Sequence, residues 1–302
     1  MSIAAQASKV SLPADAAGFG TVFEFLCAKF PYIAPQVWQQ RIADGKVYWH
    51  QGECITEQTP FMPSKLLCYY REVEIEPEVP FSHQILYQDQ HLIVADKPHF
   101  LPVTPGGQYV NECLLARLKR QTGLTDIVPL HRLDRDTAGL VLFSINPQSR
   151  AAYYALFSGQ TISKQYQAVA MLSAAVKQQL ETETLPLEWQ IKNRIEKANP
   201  RFINHIVAGE ANSESEISLT KVQGDKGLFT LMPLTGKTHQ LRLHMLSLGM
   251  PILHDIYYPE LQPKQPPQFA TPLQLLAKEL QFIDPVSGIK HSFASQLQLT
   301  AW

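Results

Sequence analysis

The stretch Pro129–Gly139, PLHRLDRDTAG, is the densest polar cluster in the chain, and it runs directly into the apolar segment Gly139–Ile145, GLVLFSI. A near-continuous apolar run of this length predicts a strand that is buried on both faces. Five of the six positions 131–136 carry charged or titratable side chains. A loop at the mouth of a rigid strand is a common location for catalytic groups. The alternative interpretation of these residues alone is a solvated polar turn.

The segments around this cluster predict the fold class. Leu92–Ala95 predicts another buried strand, and Leu114–Leu118 predicts a helix that ends before Gly123. Further downstream the patterns predict strands at Tyr166–Leu172 and Leu228–Met232, and a last helix at Leu273–Leu280. Strands and helices do not alternate regularly, which favours an α+β fold with a mixed sheet over a doubly wound one.

A second polar cluster is Leu234–His244, LTGKTHQLRLH. Its Gly-Lys-Thr is not a phosphate-binding loop, because that motif needs a glycine five residues before Gly236 and position 231 is Leu. A zinc-binding HExxH motif is absent as well, so we expect no metal site here. The apolar spacing after His239 predicts a helix that carries Arg242 one turn inside it. Arg242 could pair with a carboxylate elsewhere; taken alone, a surface arginine is the simpler interpretation.

The N-terminal quarter of the chain predicts a separate small module. Residues 1–20 are rich in Ala and Ser and predict a disordered lead-in. Two short helices follow, the first stopped by Pro31 and the second started by Pro35 and ended by Gly45. A strand and turn complete a module over 21–80, and the larger domain spans 85–302.

Composition excludes several classes of protein. The chain has 302 residues, 45% hydrophobic and 18% charged, and a formal net charge of −1, which argues against indiscriminate binding to polyanions. No apolar run approaches the roughly 18 residues of a membrane span, and the N-terminus lacks a secretory signal pattern. The four cysteines form no CxxC pair and are typical of reduced thiols, so we expect a cytoplasmic protein without a membrane association.

Taken together, the motifs are specific. His131-Arg132-Leu133-Asp134-x-x-Thr137-x-Gly139, Lys164-x-Tyr166 and the cluster Thr235–His244, in this order and spacing, resemble the RluA-type pseudouridine synthases. The resemblance extends from about Ile85 to the C-terminus and implies a largely antiparallel central sheet flanked by helices. The N-terminal module, with Arg41-Ile42-x-x-Gly45-x-Val47 and Gly52, resembles a diverged S4 RNA-binding domain.

The resemblance implies roles for individual residues. Asp134 is the expected carboxylate at the anomeric carbon, as nucleophile or as electrostatic partner of the intermediate. Arg242 is expected to pair with it through its planar donor fork. Tyr166 is expected to stack on the target uracil and to take part in proton transfer. The alternative for Tyr166 is a half-buried tyrosine of a strand.

The same resemblance implies the substrate. The isomerisation requires no redox step, metal or other cofactor, and its partner is structured RNA, either rRNA or tRNA, bound by a monomer. The target uridine must be flipped out of the stack. Arg132 is the candidate for filling the vacated space, and the other expected substrate-binding residues are His131, Lys164, Lys237 and His239. For His131 we favour a structural hydrogen bond over a role as a base.

Three positions depart from the family pattern: Ala138 replaces a usual Ser, Lys237 a usual Arg, and His254 a glycine that commonly precedes the aspartate. They affect the expected choice of target rather than the chemistry. Two other functions remain as alternatives at this point. One is a non-catalytic RNA-binding protein that uses the S4-like module, and the other is a nucleosidase-type hydrolase that frees uracil.

Overall fold

The computed structural model describes residues 2–15, 18–200, 202–263 and 265–302. The chain divides into two compact units: Met1–Glu78 with Pro105–Glu112, and Val79–Thr104 with Cys113–Trp302. The sequence placed 105–112 in the larger domain, but Glu76 accepts hydrogen bonds from the backbone N–H groups of Val110, Asn111 and Glu112, at 2.6 Å each. This carboxylate therefore ties the segment to the first unit.

The first unit is built from two helices and short strands. Its elements are β1 (Ser2–Ile3), β2 (Ser8–Ser11), α1 (Val22–Lys29), α2 (Pro35–Ala43), β3 (Val47–Trp49), β4 (Leu66–Tyr69) and β5 (Glu72–Val73). Thr21 and Glu24 cap α1 reciprocally, side chain to backbone, which starts the helix where the apolar spacing begins. Both helices occur where the sequence predicted them, and they enclose a core that includes the fully buried Leu26 and Trp38.

The expectation of a disordered segment over 1–20 is wrong for most of that segment. Strand β2 pairs with β4 from Ser8↔Tyr69 to Ser11↔Leu66, and Ala4 and Leu12 are buried. The small and polar residues of β2 lack the apolar pattern that predicts a strand. Such a short strand can be held by backbone pairing with few apolar side chains of its own. Met1, Ala16 and Ala17 lie outside the described residues.

The second unit contains one large sheet. Its strands are β6 (Gln84–Gln88), β7 (Leu92–Lys97), β8 (Val128–Pro129), β9 (Ala138–Ser144), β10 (Ser163–Met171), β11 (Leu187–Lys197), β12 (Asn204–Val207), β13 (Ser213–Gln223), β14 (Lys226–Pro233), β15 (Leu275–Ile283) and β16 (Lys290–Ala294). Their order is β12-β11-β13-β14-β10-β15-β9-β7-β6, with β16 beside β15 and β8 beside β9. Of the described strand pairs only β9–β15 is parallel. The predicted mixed, largely antiparallel sheet is confirmed.

Helices flank this sheet: α3 (Leu114–Thr122), α4 (Arg150–Ser158), α5 (Ala174–Gln179) and α6 (Gln240–Ser247). The helix predicted at Leu273–Leu280 is wrong, because these residues form most of β15 between β10 and β9. A central strand is covered on both faces, so its apolar residues run on and lose the alternation that identifies a strand. No helix among the described residues is both long and apolar enough to cross a membrane.

Candidate active site

The loop that carries Asp134 is held by its backbone. Lys97 is fully buried, and its Nζ donates to the carbonyl oxygens of Arg135 at 2.9 Å, Leu101 at 2.7 Å and Pro98 at 3.0 Å. Burial lowers the pKa of Lys97 to about 7, against the opposing effect of nearby carboxylates. The imidazole Nδ1 of His99 lies 2.6 Å from the Asp136 carbonyl oxygen. These contacts fix the loop while the Asp134 side chain stays 31% exposed.

Sheet register brings Tyr166 to this loop. Ala277 in β15 lies opposite Gly139 of β9 on one side and opposite Tyr166 of β10 on the other. A bulge between Gln165 and Tyr166 alters the direction of the strand at this point. Tyr166 is half-buried and lines the same cleft as Asp134. Burial and the negative charge of Asp134 raise the pKa of the Tyr166 phenol, so it stays protonated at neutral pH.

Arg242 in α6 contacts two carboxylates. Its Nε and Nη2 donate to the two oxygens of Asp255 at 2.7 and 2.5 Å, in a bidentate pair that is 1% exposed on both sides. Its Nη1 is buried, has no hydrogen-bond partner among the described residues, and lies 3.5 Å from Oδ2 of Asp134. The predicted pairing with Asp134 is therefore present as an ion pair, and Asp255 is the stronger partner.

Aromatic rings complete the environment of this guanidinium. Arg242 lies 4.7 Å from the ring centre of Tyr257 and 5.3 Å from that of Tyr258. The backbone N–H groups of the same two tyrosines donate to Asp255 at 2.8 and 3.1 Å. Although burial opposes it, the carboxylates around Arg242 raise its pKa. A fixed, permanently charged guanidinium thus faces Asp134.

His239 is buried and His131 is half-buried, and of the two only His239 faces Asp134. The Nε2 of His239 lies 3.8 Å from Asp134 Oδ2. The Nε2 of His131 accepts a hydrogen bond from the Leu142 backbone N–H at 3.1 Å, and its ring stacks on Phe157. Burial, with a smaller effect of Lys164, lowers the pKa of His131 to about 3, so this ring is neutral and accepts a hydrogen bond.

Arg132, Lys164 and Lys237, the three basic side chains predicted to bind substrate, line one cleft of about 780 Å³. Arg132 and Lys237 are exposed on its rim, and Lys164 is half-buried in its wall, where burial lowers its pKa. The volume is within the range of about 300–1,000 Å³ that is typical of pockets for small molecules and cofactors. The structure therefore places the predicted residues Asp134, Tyr166, Arg242, Arg132, His131, Lys164, Lys237 and His239 along one cleft.

The sequence interpretation gave no role to Asp255, Tyr257, Tyr258 or Lys97. A usable signal existed at His254, where the resemblance implies a glycine. His254 has φ +62, a left-handed conformation that glycine adopts easily, and its Nδ1 lies 3.0 Å from the Pro272 carbonyl oxygen. The left-handed conformation of His254 makes the chain turn immediately before Asp255. A conformation of this kind at a fixed position indicates that the direction of the Asp255 side chain matters. Among the described residues there is no group of three or more His, Cys, Asp or Glu that could hold a metal ion.

Comparison with known proteins gives consistent results. Residues 91–247 match the family model described as RNA pseudouridylate synthase. The dual-specificity RNA pseudouridine synthase RluA of Haemophilus influenzae is 31% identical over 223 residues, which cover 73% of this chain and 96% of that protein. The tRNA pseudouridine synthase C of Vibrio vulnificus is 29% identical, over 67% and 85%. The structure of human RNA pseudouridylate synthase domain containing 1 shares the fold, with a TM-score of 0.57 at 20% identity over 74% and 86%.

Proposed function

The chain belongs to the RNA pseudouridylate synthase family and isomerises uridine in RNA to pseudouridine, and we propose that Asp134 is the carboxylate that acts at the anomeric carbon. The observation that carries this proposal is the position of Asp134. It is a partly exposed carboxylate on the cleft wall, in a rigid loop, 3.5 Å from the Arg242 guanidinium. The guanidinium lies beside the carboxylate oxygen and is placed to balance its negative charge, which an attacking or stabilising group carries.

The reaction breaks the N1–C1′ bond, rotates the uracil and forms a C5–C1′ bond. The base loses its C5 proton and gains a proton at N1, so atoms and charge balance without an oxidant or cofactor. Asp134 compensates the positive charge that develops at C1′, or bonds to it, as carboxylates do in glycosidases. Tyr166 lines the same cleft with its phenol protonated, so it can stack on the base and donate a hydrogen bond to it.

The rim of the cleft is suited to RNA rather than to a free nucleoside. Arg132 and Lys237 are exposed there, and neither has an ion-pair partner among the described residues. We propose that Arg132 fills the space left by the flipped uridine, while Lys164 and Lys237 contact phosphates. The substrate class is structured RNA, rRNA or tRNA, in line with the tRNA named for the Vibrio relative. We also propose that the protein acts as a monomer in the cytoplasm.

The first unit is proposed to be an S4-like accessory module. Its charge limits how it can bind RNA, because it holds six Lys and Arg against ten Asp and Glu. Arg41, part of the motif that resembles S4 domains, is 5% exposed and donates to Glu72 at 3.2 Å. Lys46 pairs with Asp44 and Glu72. Contacts from this unit are therefore expected to depend on shape more than on phosphate charge.

Mapping of pseudouridine in total RNA, with and without the gene, tests the function. A uridine that is modified only when the gene is present identifies the substrate and separates rRNA from tRNA. The product RNA must keep its mass, because isomerisation adds and removes no atom overall. Free uracil and an abasic site would indicate a hydrolase, and RNA bound without any change would indicate a non-catalytic binding protein.

RNA binding is expected to depend only modestly on salt. The second unit holds 20 Lys and Arg against 17 Asp and Glu, and few of the basic side chains line the cleft. Each neutralised phosphate adds about 0.9 to the slope of log K against log salt, or about 0.7 on single strands. We expect a slope of about 3 by filter binding between 50 and 200 mM salt. A slope near 10 would contradict the assignment of a small basic rim.

Arg242→Lys is expected to lower turnover by about 100-fold. The guanidinium reaches Asp255 and Asp134 through three different nitrogens, and a single ammonium cannot hold the same geometry. Arg150→Lys is the matched control, because Arg150 lies outside the cleft and donates to the Asp126 carbonyl oxygen. Tritium release from C5-labelled RNA measures both variants. If the activity of Arg242→Lys stays within about threefold of that of Arg150→Lys, the reaction does not require a planar guanidinium at position 242.

A further inference from the structure

His239 occupies a position that is unusual for a residue with a side chain. It precedes α6 with φ +59, in the left-handed region, and its side chain forms no cap on the helix. The side chain is 6% exposed, lines the cleft and packs against Tyr257 and Tyr258. Backbone conformations of this kind cluster at active and binding sites.

Both nitrogens of this ring face a polar partner. Nδ1 lies 2.9 Å from the Tyr258 hydroxyl, and Nε2 lies 3.8 Å from Oδ2 of Asp134. Burial lowers the pKa of His239, and Arg242 adds to this effect against the opposing effect of Asp134. The ring is therefore neutral at pH 7 and carries one hydrogen, on one nitrogen only.

The Tyr258 hydroxyl decides where that hydrogen is. The hydroxyl accepts from the Asn204 backbone N–H at 3.0 Å, and its single hydrogen has two possible acceptors at 2.9 Å, the Asn204 carbonyl oxygen and Nδ1 of His239. If the Tyr258 hydroxyl donates its hydrogen to the Asn204 carbonyl oxygen, His239 carries its own hydrogen on Nδ1 and turns the lone pair of Nε2 toward Asp134. If the hydroxyl donates to Nδ1, the hydrogen of His239 is on Nε2 and points at the carboxylate. The charge of Asp134 favours the second arrangement.

We propose that His239 is a positioning residue for Asp134, with its Nε2–H directed at Oδ2 by the Tyr258 hydroxyl. Arg242 Nη1 faces the same oxygen at 3.5 Å. Two N–H groups directed at Oδ2 from 3.5 and 3.8 Å favour one rotation of the carboxylate and leave Oδ1 for the anomeric carbon. At 3.8 Å the contact is electrostatic, and such contacts commonly shorten when substrate binds. The inference rests on the proposed role of Asp134 as the reacting carboxylate.

A matched pair of variants separates this role from packing. His239→Asn places an amide near Nδ1 and loses reach to Asp134, whereas His239→Gln extends an amide to the position of Nε2. Asn tolerates the left-handed backbone better than Gln does, so a purely structural role favours Asn. We expect the single-turnover rate of His239→Asn to fall about 10- to 100-fold and that of His239→Gln to stay within about threefold of wild type. RNA affinity should change less than twofold in both.

The assay uses a C5-tritiated transcript that spans the mapped uridine, with rates at saturating enzyme and Kd from filter binding. Tyr258→Phe should lower the rate about fivefold, because the ring of His239 loses the group that fixes its tautomer. Equal losses for Asn and Gln, an unchanged rate for Asn, or a loss that resides in Kd would each overturn the inference, the last in favour of direct substrate binding by His239. Asp134→Asn is measured in parallel. Tritium release by that variant would instead overturn the proposed role of Asp134 and the inference with it.

Discussion

We expect Asp134→Asn to abolish tritium release from C5-labelled RNA and to leave RNA affinity within about twofold of wild type. The substitution keeps the size and shape of the side chain and removes the charge that faces Arg242 at 3.5 Å. An amide neither bonds to nor stabilises an electron-poor anomeric carbon, so we expect a loss of at least about 10⁴-fold. Affinity should be preserved because Lys164 and Lys237, which we propose contact phosphates, are unchanged.

The matched control is Asp225→Asn, which also neutralises one aspartate but on an exposed turn, where Asp225 pairs with Lys177. It should retain full activity, since it lies outside the cleft. Both variants are compared by single-turnover tritium release and by filter binding with the same transcript. If Asp134→Asn releases more tritium than contaminating wild-type enzyme explains, Asp134 does not take part in the reaction.

Local patterns were sufficient to predict elements whose signal is complete within a few residues. Helix α2 begins at Pro35, with Gly45 at φ +68 soon after its end, and β9 is buried at every position, as its apolar run predicted. Strand β15 was mistaken for a helix because its surroundings, and not its own residues, set its conformation: β10 and β9 cover it on both sides. Tertiary pairing decided between two conformations that the local pattern could not separate.

The residues of the site could be predicted from the sequence, but their contacts could not. Asp134, Tyr166 and Arg242 were identified through motifs, and the motifs carry no distances. The register of Ala277, opposite Gly139 and Tyr166, and the buried fork from Arg242 to Asp255 are long-range contacts that no local spacing encodes. For that reason the motifs predict one carboxylate partner for Arg242, whereas the structure has two. The tautomer of His239 depends on Asn204 and Tyr258, which come from two other segments.

Gly139→Ala should be the most destabilising single substitution near the site. Gly139 has φ +112, and a Cβ at this position would lie 2.2 Å from the Ala277 carbonyl oxygen and 2.7 Å from the Ala277 nitrogen. Backbone cannot rotate away as a flexible side chain does, so β9 and β15 must separate. We expect the free energy of unfolding to fall by about 3–5 kcal/mol. Turnover should fall at least about 100-fold, because the same two strands align Asp134 with Tyr166.

Gly224→Ala is the control for an alanine at a positive φ without a close approach. Gly224 also has a positive φ, +58, but a Cβ there meets nothing within 4 Å. It should cost only the backbone strain, about 1 kcal/mol, and leave turnover unchanged. Thermal unfolding followed by circular dichroism, with tritium release on the folded fraction, compares the two. Equal destabilisation by both variants would mean that β9 and β15 do not approach closely at Ala277, and the register that joins Asp134 to Tyr166 would then be wrong. A larger loss in Gly139→Ala is expected from the contact with Ala277 together with the less accessible φ of +112.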